Sequence, residues 1–344
     1  VAYVSDRLDR RRLIVVGQAV LAMALVMAAC TRSAAELALA LTFAGAASGI
    51  ACNAAQAQLV EGNPARADRA MVRWTLLSCV GDVLAPVVTA TAVALGFSYR
   101  GAMAVVGGLI AVQCVITAIF GEPPPRAPGR TIDSAPSTRR EPLQGGGLTV
   151  APPKGGVAAR RAVWAWLFAA ASCTLLDEII VALAALRMER EQGAAEAVAT
   201  AAVAAFSLGT VLGSAWAERA VDRWGARVIL AVSAVGCMVA LSACFATGGI
   251  LAATLALFAV GVACAPHHGL ALAQAYKMAP ESPGSVQALA QVFVVIDVLA
   301  PLAMGLAADR LGPGRAILLL AIQPAVILAC AAWAGEGEVP TGSG

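Results

Sequence analysis

Apolar residues in this chain gather in runs near 13–30, 35–60, 70–97, 101–120, 162–187, 196–220, 227–246, 250–276, 284–309 and 315–334. At roughly 18 to 27 residues each, these runs are long enough as helices to cross about 30 Å of hydrocarbon. A barrel strand would need about ten residues of alternating polarity, and no such alternation runs through them. Since a bilayer core offers the backbone no water to bond with, spanning segments of this kind satisfy their own hydrogen bonds as helices. The pattern predicts an all-α membrane protein with ten transmembrane helices. Residues 121–160 break it: they hold eight of the seventeen prolines and little that can be buried, as in a flexible linker. The expected organisation is a helical bundle over 1–120, the linker over 121–160, a six-helix bundle over 161–335 and a tail over 336–344.

Composition agrees, because 60% hydrophobic and 13% charged residues exclude a soluble domain. The net charge of +3 says little as a total, but its placement is informative. If the start of the chain is cytoplasmic, three quarters of the 24 Lys and Arg fall in connections on that side. That asymmetry orients a multi-pass protein of the inner (plasma) membrane, with the basic start and the linker inside. The nine cysteines stand singly within apolar runs, as small buried hydrophobes do. No nucleotide-binding loop, zinc-protease motif or serine-hydrolase elbow occurs, so neither an enzyme nor an ATP-driven pump is expected.

The chain also repeats itself. The basic turn Ala2–Arg11 reappears about 216 residues on as Glu218–Arg227, and Asp82-Val83-Leu84-Ala85-Pro86 returns as Asp297-Val298-Leu299-Ala300-Pro301. Two anchors at nearly equal offsets indicate parallel halves. The second half has two spans before its basic turn and the first has none, so ten helices of an expected twelve are present. A fragment, or a reading frame begun internally, fits that expectation.

These turns carry a resemblance. The chain resembles the major facilitator superfamily, whose signature between its second and third helices reads roughly G-x-L-A-D-R-x-G-R-R. Asp6, Arg7, Arg10 and Arg11 match it, with Ala2 and Asp9 at the two glycines. The second copy keeps Asp222, Arg223, Gly225 and Arg227, with Glu218 at the first glycine. The resemblance implies a two-bundle helical transporter, and a latch at the cytoplasmic face in which the Asp sits near a helix start of the opposite half. Asp6 is then expected near Gly284, Asp222 near Arg69, and Glu61 as partner of Arg7 or Arg11. A plain basic loop serving only topology is the alternative. Gly81-x-x-x-Ala85-Pro86 is further similar to the G-x-x-x-G-P pattern of drug–proton antiporters, where small residues and a proline let helices approach and bend.

Four acids lie inside predicted spans: Asp82, Asp177, Glu178 and Asp297. A central Asp costs roughly 2.5–3.5 kcal/mol to insert, so such groups face a water-filled cavity or a partner. No Lys or Arg lies at comparable depth. Protonation, a bound cation or pairing with His267 or His268 remain as the ways to neutralise them, and a carrier coupled to protons needs such acids. Asp177 and Glu178 are favoured for coupling; being adjacent on a helix, they are expected to point about 100° apart, with one of them in the cavity. The resemblance also places 35–60 and 250–276 among the cavity-lining helices, which makes Asn53, Gln56, His267 and His268 candidates for substrate contact. Consecutive histidines diverge around a helix, so no metal site is expected. The expected function is secondary transport of a small molecule by a monomer, driven by protons through alternating access, with export preferred and no cofactor or nucleic acid involved. A non-transporting sensor of the same fold and an inactive truncated product remain alternatives.

Overall fold

The computed structural model describes residues 10–96, 98–121, 157–279 and 283–333. Most of the linker and all of the tail lie outside the described residues. Four helical rods come first: α1 (Arg10–Cys30), α2 (Ala34–Gly62), α3 (Ala67–Ala94) and α4 (Tyr99–Phe120). The fifth rod is α5 (Val157–Ser172), continued through a π turn at Leu175–Ile179 into α6 (Ile180–Arg190). Two unbroken rods follow, α7 (Glu196–Trp224) and α8 (Ala226–Ala246). The last three are jointed: α9 (Ile250–Cys264) with α10 (Pro266–Met278), α11 (Pro283–Ala290) with α12 (Val294–Leu311), and α13 (Pro313–Leu319) with α14 (Ile322–Trp333). Among the described residues nine of these rods are long and apolar enough to cross a membrane; α3, the remaining rod, has 28 residues.

Local sequence fixes the ends of several rods. Ser33 caps α2: its hydroxyl accepts from the Glu36 N–H at 3.2 Å while the Glu36 carboxylate accepts from the Ser33 N–H. Gly225 ends α7 at φ +76°, a conformation that side chains resist. Close helix contacts rest on small residues. A Cβ added at Gly17 of α1 would stand 2.9 Å from the Ala51 Cβ of α2, and one at Gly213 of α7 would stand 2.9 Å from the Ala265 Cβ beside α9.

Helix α1 packs on α2 and α4, α7 on α9, α9 on α8, and α5 on α10. The four leading rods meet the other six where α3 lies against α7 and α10 and where α2 meets α11. One buried core runs through this junction, with Val60, Met71 and Val72 packed among Trp166, Leu270 and Tyr276. A second, built from Leu176, Ile180, Leu241, Leu257 and Ile317, belongs wholly to the later six rods. Large apolar side chains such as Phe43, Leu109, Leu251 and Leu255 point outward, as a hydrocarbon surround requires.

Candidate functional site

Two neighbouring compartments lie where the two sets of rods meet. One, of about 380 Å³, is lined by Trp74, Thr75, Ser78 and Asp82 of α3, Phe206, Ser207 and Thr210 of α7, and also by Gln56, Asp177 and His268. The other, of about 330 Å³, is lined by Asn53, Gln56, Thr174, Asp177, Glu178, His268, Gln287, Gln291 and Asp297, among others. Gln56, Asp177 and His268 border both. Each of the four span acids lines one of the two compartments and Asp177 lines both, and no Lys or Arg lines either among the described residues.

The four carboxyls are not equivalent. Asp297 accepts a hydrogen bond from the Thr174 hydroxyl at 2.6 Å, which ties α12 to the mouth of the π turn. Asp82, Asp177 and Glu178 have no hydrogen-bond or ion-pair partner among the described residues. The expectation that only one of Asp177 and Glu178 faces the cavity is corrected, since both line it. They sit within the π turn, where each residue turns through a smaller angle than in an α-helix, so neighbouring side chains diverge less. The Cys173 carbonyl at its start accepts from both the Leu176 and Asp177 N–H groups, at 3.0 and 2.9 Å.

The histidines part company. His268 lines both compartments, while His267 faces away from the cavity and is fully buried, which corrects its place among the substrate contacts. Its Nε2 lies 3.0 Å from the Ser233 hydroxyl of α8 and its Nδ1 accepts from the Gln323 amide of α14 at 2.9 Å. One step along a helix turns a side chain through about 100°, enough to move it from cavity to core. Neither histidine bonds a carboxyl among the described residues.

At the end of the bundle that carries the basic connections, charged groups cross between the two sets of rods. Arg69 of α3 pairs with Asp222 of α7 at 2.8 Å and lies 3.9 Å from Glu218. Asp68 takes an ion pair from Lys277 and a hydrogen bond from Gln274 at 2.8 Å, both on α10. Glu61 pairs with Arg10, while Arg11, one of its two expected partners and the next residue around α1, donates to the Ala118 carbonyl at 2.6 Å. Asp6 and Arg7 lie outside the described residues. Arg223 is exposed, and neither it nor Arg227 forms an ion pair among the described residues.

Sequence reasoning missed Asp68, Lys277 and Gln274 as a unit, because a charge at a helix end reads as topology. It also missed Gln287, whose uncharged amide stands out little in an apolar run. A third cleft, of about 970 Å³, opens among α1, α2, α3 and α4 and is lined by Gln18, Gln58, Trp74 and Gln113 with apolar neighbours.

With this geometry in view, comparison with known proteins is consistent throughout. The family model described as Major Facilitator Superfamily matches residues 1–296. No curated protein matches the chain by sequence. Among solved structures, the transporter FucP in its outward conformation superposes with a TM-score of 0.73 at 15% identity, over 95% of this chain and 83% of that one. The human organic anion transporter MFSD10 (TETRAN) gives 0.73 at 14%, over 96% and 79%. The proton:xylose symporter XylE gives 0.71 at 13%, over 97% and 81%. At such identities the likeness shows the fold.

Proposed function

Given that the chain belongs to the major facilitator superfamily, we propose that it carries a small molecule across the membrane by proton-coupled alternating access, with Asp177 as the coupling acid and Glu178 beside it. Asp177 carries the proposal: it has no partner among the described residues, and it borders both compartments, one shared with Asp82 and the other with Glu178 and Asp297, with no Lys or Arg among their described lining residues. Like charges gathered in a space of low dielectric repel, and binding a proton or a cationic group relieves that repulsion.

The two sets of rods act as two rocking bundles, 1–120 and 161–335, joined by the 121–160 linker. The bridges Arg69–Asp222 and Asp68–Lys277 cross between them at the end with the basic connections. That end is cytoplasmic by the positive-inside rule, so this conformation is closed inward. A proton arriving from the outer side neutralises Asp177. The bundles then rock, the inner bridges part, and the proton leaves inward while the solute is exchanged. The fucose and xylose carriers that share the fold are described as proton symporters, which supports the coupling ion. Export as the direction rests on the Gly81-x-x-x-Ala85-Pro86 similarity alone. Protein reconstituted in liposomes with an internal pH dye tests the proposal. Solutes that the protein moves are expected to change the internal pH, whereas movement with no pH change, at any imposed gradient, contradicts proton coupling.

A further inference from the structure

At the basic end of the second compartment lies an amide cluster that the proton path does not use. Gln287, in the second turn of α11, is only 5% exposed. Its Nε2 donates to Asn53 Oδ1 at 2.9 Å and to Gln56 Oε1 at 2.9 Å. A primary amide nitrogen has two hydrogens, so both are engaged, and both on α2. Asn53 and Gln56 are three residues apart and share one face of that helix. One nitrogen spans them only while α11 lies against α2, and these two helices belong to opposite bundles. All three side chains border the compartment that holds Asp177, Glu178 and Asp297.

The geometry points to Gln287 as a positioning residue of the transport cycle, an inference that rests on the alternating-access reading above. It clasps α11 to α2 at the inner end of the cavity, and it occupies two acceptor oxygens that would otherwise face the solute. Opening inward requires this nitrogen to leave both acceptors together, so the polar floor of the cavity becomes available only as the inner end opens. Arg69–Asp222 and Asp68–Lys277 lie further toward the basic surface, on partly exposed side chains that water can replace. The clasp sits deeper, with Gln56 and Gln287 each less than a tenth exposed and Asn53 partly exposed at the compartment wall.

The test uses the full chain in right-side-out and inside-out membrane vesicles, with Ala290→Cys as reporter. Ala290 borders the same compartment one turn beyond Gln287 along α11, so a reagent from the inner face must pass the clasp to reach it. A membrane-impermeant maleimide is applied, and labelling at position 290 is read by peptide mass spectrometry, which leaves the native cysteines in place. Losing one or two such bonds is expected to raise inner-face labelling about 5- to 30-fold in Gln287→Met, with outer-face labelling unchanged or reduced. Gln287→Leu, which has no hydrogen-bonding atom to offer either partner, is expected to give a rise of similar size. In an Asn53→Leu, Gln56→Leu background, Gln287→Met is expected to add nothing. Unchanged inner-face labelling in both variants, or an equal rise from both faces as general loosening would give, overturns the clasp. Labelling needs no solute, so absent transport by the wild type would count against the transport reading and leave the clasp to be judged separately.

Discussion

Two polar clusters in this molecule are built from similar groups to different ends. Within the later rods, Arg187 of α6 is buried and donates to the Cys244, Phe245 and Thr247 carbonyls at the end of α8, the last two at 2.9 and 2.8 Å. Its Nε lies 3.2 Å from Glu191, which in turn accepts from the Gly314 N–H of α13 at 3.0 Å. Three rods are pinned at one point inside a single bundle. The bridges at the basic end also tie helices together, but they run between bundles and on partly exposed side chains: Arg69 is 43% and Asp222 51% exposed. Depth decides what each cluster is for. A buried donor that loses its partners costs its full desolvation, so the first cluster keeps one bundle rigid. Exposed pairs exchange with water at little cost, so the second can part and reform.

The largest effect expected from this contrast is on stability. Arg187→Leu strands the carbonyls at the end of α8, while the 39%-exposed Glu191 keeps water and the Gly314 N–H, and is expected to cost about 2–4 kcal/mol, read as a lower unfolding midpoint in detergent. A loss below about 1 kcal/mol would show that water already serves those carbonyls. His267→Leu leaves the Gln323 amide with only the Cys173 sulfur at 3.5 Å and the Ser233 hydroxyl with only the Leu230 carbonyl, and is expected to cost about 1–3 kcal/mol by the same assay. If it also abolished transport without loss of stability, His267 would have to act on the cavity from which the structure turns it away. The smallest stability effect is expected for Lys277→Ala, about 0–1 kcal/mol, because Lys277 is 38% exposed. That variant should instead raise inner-face labelling at position 290, and a drop in stability matching Arg187→Leu would erase the distinction between the two clusters.

The ten rods were legible because a span needs an uninterrupted apolar run, and few other folds tolerate one. Their interruptions were not. A π turn at 175–179 or a short 3₁₀ turn at Gln291–Phe293 changes hydrogen bonding without changing composition. That is why the shared aspect of Asp177 and Glu178 escaped a reading based on regular helical spacing. The acids were visible because carboxyls are rare in apolar spans. Which of them has a partner depends on contacts such as Thr174 with Asp297, made across more than a hundred residues. The pair His267-His268 was equally visible, but its division between core and cavity follows from the rotation of α10 against α8 and α14. Amides are harder still: Gln287, Gln274 and Gln323 carry no charge to mark them, and each matters only through its partner.

The account stands or falls on Asp177 as the coupling acid, and flux in liposomes tests that directly. Asp177→Asn removes the titratable proton and keeps the shape of the side chain. Solute exchange at equal pH on both sides is expected to persist at least in part, while accumulation driven by a pH gradient disappears. Gradient-driven accumulation at the wild-type level in both Asp177→Asn and Glu178→Gln would contradict the claim and move the coupling site away from the π turn.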